Sequence, residues 1–164
     1  MPDDRTIRVI AFANEEMRLW GTRAHADKHA KEVSKSLLGT DSDLGAGKVY
    51  RMSARVKPQA RHAIEQIADV LRPLGVAYDA TRAGGGGSDL SAMRAKGMAA
   101  LTLNQDATDY FDWHHTSNDT LDKVDPSELA QNVAVYAAWT YMAAQADGDF
   151  GSAAGAFAHD GAGE

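Results

Sequence analysis

A chain of 164 residues, 44% apolar and 24% charged, has room for one domain with a sizeable core and is too ordinary in composition for a fibre or wholesale disorder. Its formal charge of −6 leaves no excess of lysine and arginine to neutralise phosphates, which excludes nucleic acid and anionic membrane surfaces as natural partners. With no cysteine, disulfides, thiolate metal sites and cysteine nucleophiles are excluded as well, and any metal must be held by His, Asp and Glu.

In chain order, the opening MPDDRT lacks the basic and apolar regions of a signal peptide, and no later run approaches the roughly 18 apolar residues of a bilayer span. A soluble chain without an export signal is expected. Ile7, Val9, Ile10 and Phe12 then form a nearly continuous apolar run, the pattern of a strand covered on both faces in a mostly parallel sheet. Such a strand presents function at its C-terminal end, where Asn14, Glu15 and Glu16 stand. A helix is expected over 17–33. A second acidic turn, Asp41-Ser42-Asp43, and the reversal at Gly45 and Gly47 lead into a short strand over 48–56. Pro58 suits a first helical turn, and Ala63, Ile67, Val70 and Leu71 recur at helical spacing through 60–71. The loop AGGGGSD over 83–89 gives the backbone freedom to approach another group closely, and Ser88 or Asp89 can cap a helix through Met93. A buried strand is expected over 98–103, then a polar and aromatic loop over 104–118. Asp125-Pro126 with Glu128 supplies an N-cap, a proline at the first position and an acid in the first turn, so a helix runs over 126–145. The domain is expected to close at residue 146, with 147–164 a flexible Gly/Ala-rich tail. Alternating strands and helices give an α/β architecture.

Adjacent carboxylates at a strand end can divide labour, because neighbours on an extended segment point to opposite sides. One then binds a metal and the other takes a proton from water, as metal-assisted hydrolysis requires. Glu15-Glu16 equally fits a solvated helix N-terminus, where acids favour the dipole. Asp43, with Asp41 two residues before it, fits either a ligand turn or an Asx-turn before glycine. The string YFDWHHTSNDT packs His114, His115, aromatics and several Asp residues into one loop, either a ligand loop or a chance polar one. His25, His29, His62 and His159 read as surface histidines. Two Glu, an Asp about a helix later and a His in a later loop form a donor set suited to zinc.

The strings FANEE, TDSDLGAG, GGGGSD, LNQDATDYFDWHHTSNDTLDKVDP and ELAQNVAVYAAW resemble the C-terminal half of the zinc-dependent exopeptidases of peptidase family M28, above all the branch similar to plasma glutamate carboxypeptidase, from about Ile7 to Ala144. The resemblance implies a phosphorylase/hydrolase-like α/β fold with a mostly parallel sheet flanked by helices. It also implies two zinc ions bridged by an Asp and a water or hydroxide, with a peptide as substrate. By motif, Glu15 takes the place of the general base, Glu16 and His115 those of two ligands to one zinc, and Asp43 that of a ligand to the other. His114 stands where some relatives have a Tyr that stabilises the oxyanion, Asp119 belongs behind the histidine loop, and Asp89 with the glycine run resembles the family's substrate-side loop.

In the family the first half of the fold supplies an HxD motif, whose His binds one zinc, and a DDGAG-like motif, whose Asp bridges both; neither occurs before Ile7, where only six residues stand. The resemblance therefore implies a partial fold without its N-terminal strands and an incomplete ligand set. The isolated chain is expected to bind zinc weakly and to lack peptidase activity. The alternative is a non-catalytic interaction domain that self-associates, or pairs with the missing half, through an exposed sheet edge. Relatives are often secreted or periplasmic, so the compartment stays open.

Overall fold

The computed structural model describes residues 5–151. Its centre is a three-stranded sheet built from β1 (Val49–Arg55), β2 (Ala77–Tyr78) and β3 (Ala100–Gln105), in the order β2-β1-β3. Six helices surround it: α1 (Trp20–Lys28), α2 (Ala30–Val33), α3 (Arg61–Leu71), α4 (Ser91–Arg94), α5 (Tyr110–Trp113) and α6 (Pro126–Gln145). The α/β class expected from the sequence is the one observed. β1, α3 and β2 form a parallel unit, with Arg51 opposite Ala77 and Met52 opposite Tyr78, and the full helix α3 supplies the crossover such a pair requires. β3 pairs antiparallel to β1, from Arg55 opposite Ala100 to Val49 opposite Gln105. The sheet is therefore mixed, and the parallel expectation holds for its β1–β2 half. β2, two residues long, was beyond the reach of a periodicity argument.

The main core joins β1 (Val49, Met52), α3 (Ile64, Ile67, Ala68, Leu71), β3 (Leu101, Leu103) and α6 (Val135, Trp139, Ala143). On α3 the buried stripe is 64-67-68-71, the spacing of one helical face. Val70, expected inside, is 43% exposed because it falls off that stripe. A smaller cluster gathers Ala26 and Val33 with Leu90, Met93 and Met98, and Phe12 packs against it.

Three expectations fail for identifiable reasons. The Ile7 run is not a strand: Ile7 is 54% and Val9 94% exposed, and among the described residues no neighbouring strand pairs with it. A strand exists through its ladder, and apolar composition alone does not provide one. The helix expected from residue 17 starts at Trp20, because Arg18 and Leu19 sit in the left-handed region, and it breaks at His29. Residues 149–150, expected in the tail, are held to the domain. Phe150 is 1% exposed in the main core, the Lys57 N–H donates to its carbonyl at 3.0 Å, and the Lys57 ammonium meets Asp149 at 2.7 Å. The rest of the expected tail, 152–164, lies outside the described residues.

α6 matches its sequence signature, with the Asp125 carboxylate accepting from the N–H groups of Ser127 (2.7 Å) and Glu128 (3.1 Å). Two polar residues on it organise the segment leading into β1. Gln131 pairs with Val49 as a strand neighbour would, accepting from its N–H at 2.9 Å and donating to its carbonyl at 2.8 Å. Buried Asn132 donates to the Gly47 carbonyl at 2.7 Å and accepts from the Gln105 amide at 2.7 Å, and Gln105 in turn donates to the Gly45 carbonyl at 2.9 Å. Removing Asn132 leaves one N–H of the buried Gln105 amide and the part-buried Gly47 carbonyl without these partners. Asn132→Leu is expected to cost about 2–4 kcal/mol in urea denaturation, and a variant within experimental error of wild type would refute the clamp.

Candidate metal centre

Two tight turns, 99 residues apart in sequence, bring the candidate site together. In the first, Asn14 takes φ 58 and its carbonyl accepts from the N–H groups of Met17 and Trp20, while Gly21 donates to the Ala13 carbonyl at 3.0 Å. A Cβ at Gly21 would collide with that carbonyl, so the closure requires glycine. The loop presents Glu16 to solvent and leaves Glu15 half-buried. In the second, the Thr116 N–H donates to the Trp113 carbonyl at 2.9 Å across His114 (φ −47, ψ 124) and His115 (φ 59). This is a type II β-turn with histidine where φ must be positive, a position glycine usually takes. The strain, on the order of 1 kcal/mol, sets the two imidazoles edge to face with centroids 3.6 Å apart.

The turns meet at a hydrogen bond of 2.6 Å between His115 Nε2 and Glu16 Oε1. Glu16, His114 and His115 each offer a donor atom, all within 4.8 Å of one another. His114 Nδ1 is buried and has no hydrogen-bond partner. Two imidazoles and a carboxylate, one ring carrying an unsatisfied buried nitrogen, fit a borderline cation such as zinc.

The surrounding field is acidic. Tyr110, one helical turn before His114 and edge-on to its ring at 4.7 Å, has its phenol pKa raised by partial burial and by Asp43, Glu16, Asp119 and Glu15. Tyr110 is thus a site residue that the sequence reading passed over. Its i,i+4 spacing to His114 was the available signal. Asp43 and Asp119 are exposed members of this ring of carboxylates, and neither belongs to the close Glu16–His114–His115 group. The Asp119 N–H donates to the Thr116 carbonyl at 3.2 Å, inside the histidine loop.

Asp41, read from sequence as a turn former beside Asp43, is a junction. Its N–H donates to the Gly86 carbonyl at 2.7 Å, its carboxylate accepts the Asp89 N–H at 3.0 Å, and its carbonyl accepts the Tyr136 hydroxyl at 2.9 Å. Gly87 holds φ 106 against this carboxylate, and a Cβ there would fall on it. The glycine run is therefore an acceptor cradle for Asp41. Asp89 turns its own carboxylate to the buried Thr22 hydroxyl at 2.7 Å. Neither Ser88 nor Asp89 caps α4 through its side chain, since that helix starts at Ser91 with Leu90 before it and uses the Ser88 carbonyl. Among the histidines read as surface, His25 is half-buried, stacked on His29 at 4.7 Å and edge-on to Phe12; His62 is exposed, and His159 lies outside the described residues. No helix among the described residues is long and apolar enough to cross a membrane.

Burial, together with the charges of Asp43, Asp89 and Glu15, pushes the Asp41 carboxyl up to about 6 from 3.8, against the opposing Asp89 hydrogen bond. A raised folded-state pKa means the folded chain holds this proton more tightly than the unfolded one. The stabilisation is full below pH 3.8 and is lost as pH rises through about 6. Asp41→Asn is expected to gain stability relative to wild type between pH 4.5 and 7.5, by on the order of 1–2 kcal/mol; parallel stability profiles for the two proteins would sink this.

Three comparisons bear on this arrangement. Residues 1–140 match Peptidase family M28. Carboxypeptidase Q of Xenopus laevis is 28% identical over 142 residues, covering 85% of this chain and 29% of that protein. The human carboxypeptidase Q is 26% identical over 140 residues, covering 85% and 29%. A peptidase M28 precursor of known crystal structure, from Shewanella amazonensis SB2B, superposes with a TM-score of 0.80 at 42% identity, covering 85% of this chain and 31% of the other. The chain thus spans about three tenths of the length of the relatives it matches, and by this match, in sequence and in fold, it belongs to peptidase family M28.

Proposed function

We propose that this chain is the part of a zinc-dependent metallo-exopeptidase that carries the general base and half of the metal ligands. The observation that carries this reading is the meeting of Glu16 with His115 at 2.6 Å, with Glu15 beside them in the same turn. Zinc held there would lower the pKa of a water and polarise a peptide carbonyl. Glu15, half-buried and next to the metal donors, takes the water proton as its oxygen bonds to the carbonyl carbon. It then delivers that proton to the amide nitrogen as the C–N bond breaks. Glu16 and His115 would hold one zinc, and Asp43 would be a ligand of the other. Tyr110 stands in the field of Asp43, Glu16, Asp119 and Glu15. Aminopeptidase and dipeptide chemistry both fit this half-site.

The chain's donors hold no carboxylate between two metals, so alone it is expected to release no amino acid from dipeptides or aminoacyl anilides, with or without added zinc. Mixed with a polypeptide that supplies HxD and DDGAG-like motifs, it is expected to hydrolyse them, and Glu15→Gln should lower that rate by roughly 10²–10⁴. Full turnover by Glu15→Gln would remove Glu15 from the mechanism, and turnover by the isolated chain would remove the need for a partner.

A second reading is favoured by one observation. Ile7 and Val9 are more than half exposed on a stretch that pairs with no strand among the described residues, a surface that suits a partner strand better than water. As an interaction module the chain would associate through it. Light scattering of the purified chain is expected to show association that Val9→Lys abolishes; a monomer across micromolar concentrations would exclude self-association.

A further inference from the structure

We propose that His25 and His29, with Glu32 and Arg8, form a pH-sensitive latch that holds residues 8–12 against α1 and α2 at neutral pH and lets them go in mild acid. It shares no residue with the metal donors and works with neither zinc nor a partner bound.

The parts of the latch form one chain of contacts. The Arg8 guanidinium donates to Glu32 Oε2 at 2.7 Å. His29 Nδ1 meets Glu32 Oε1 at 2.9 Å, across the break at His29 that ends α1 and begins α2. One turn earlier on the same face, His25 stacks on His29 with centroids 4.7 Å apart, and the Phe12 and His25 rings meet edge to face at 5.5 Å. Residues 8–12 pair with no strand among the described residues. The segment is tied at its ends by Arg5, which donates to the Ala143 carbonyl at 3.0 Å, and by the Gly21 N–H on the Ala13 carbonyl. Between these ties it rests on the Arg8 ion pair and on Phe12, which packs against His25 and the Ala26–Val33 cluster.

At neutral pH this group holds one cation, Arg8, and one anion, Glu32. Both keep their charges in mild acid, because a guanidinium does not titrate there and hydrogen bonds from His29 and Arg8 hold the Glu32 carboxyl down at about 2. The imidazoles do titrate, and with both protonated three cations face one carboxylate. From the α4 side no further anion is offered: Lys96 turns to Asp27 at 3.1 Å and Arg94 to the Gly85 carbonyl. His25 takes the repulsion. Burial, then the charges of His29 and Arg8, lower its pKa against the pull of Glu32. A lowered folded-state pKa means that the fold favours the neutral ring, a contribution present above 6.5 and lost as pH falls through the folded value. The freed residues run into Ala13 and the Glu15–Glu16 loop, so the latch couples pH to the order of the segment leading to the proposed base.

The full chain labelled with ¹⁵N and titrated by NMR from pH 8 to about 5 tests this without any substitution. The amide resonances of residues 8–12 are expected to move towards random-coil positions with the midpoint of the His25 ring, below the ordinary histidine value of 6.5. His25→Phe keeps an aromatic ring against Phe12 and His29 but takes up no proton. With circular dichroism confirming its fold, its segment transition is expected to vanish while the His115 ring still titrates. The latch is overturned if residues 8–12 stay still while His25 titrates, if His25 stays neutral throughout, or if His25→Phe shows the wild-type transition.

Discussion

The arrangement of the acidic turn at Asp43 depends on the grip of α6 on residues 45–49. Val49 lies on a short strand whose entry is made of glycine and alanine, with no side chains to pin it. Gln131 meets its backbone as an adjacent strand would, and Asn132 with Gln105 satisfies the Gly45 and Gly47 carbonyls. These bonds are worth modest amounts when made and cost about 1–3 kcal/mol where breaking one leaves a buried group, such as the Val49 backbone or the Gln105 amide, without a partner. They also set direction. With Gly47 pressed so closely on the Asp106 carbonyl that no Cβ fits, the chain before β1 and the chain after β3 run side by side. Asp43 and Tyr110 stand just beyond these two ends.

The same logic, backbone fixed by polar junctions, recurs around Asp41. A carboxylate placed half in the protein beside Asp43, Asp89 and Glu15 is electrostatically unfavourable. It is retained where three backbone and hydroxyl bonds and a cradle of glycines converge on its residue. Its effect is to fasten the glycine run, and through Asp89 and Thr22 the helix α1, to the turn that carries Asp43. The glycines thus act on the site from behind. The resemblance likens them to the family's substrate-side loop, and their contacts also make them the support on which the acidic turn rests.

The legible parts of this molecule were those in which a local rule decides the outcome. Asp125-Pro126 with Glu128 specified the start of α6, and period 3.6 specified Ile67 and Leu71 of the buried stripe of α3, which Ile64 and Ala68 complete where Ala63 and Val70 were expected. The FANEE and HHTSNDT strings led to Glu16 and His115, and these two side chains do meet. What was not legible depended on partners far along the chain. Ile7 to Phe12 has strand composition without a strand beside it, β2 is too short to carry a period, and the pairing direction of β3 follows from the path of the connection. Phe150 is buried although its surroundings are Gly, Asp and Ser, because the pocket beside Lys57 and α6 receives it. The left-handed backbone at His115 also left no trace in the sequence, since histidine in the second central position of a type II turn is the reverse of the usual preference.

That last point bears on how the site holds its shape. Glu15 and Glu16 are not set by a sheet, as the apolar run before them suggested, but by a loop closed through Asn14, Gly21 and Ala13. His114 and His115 sit in a turn closed through Trp113 and Thr116. Both loops store backbone strain, and they join where His115 meets Glu16, a pair more than half exposed on each side and therefore worth little as an ion pair. A cation shared by these side chains would replace that weak contact with ligand bonds from both turns. Because it would bind the folded arrangement and not the unfolded chain, its binding free energy would add to the stability of both loops. The donors are therefore better regarded as preorganised by two strained turns and tightened by their ligand than as a rigid cup waiting to be filled.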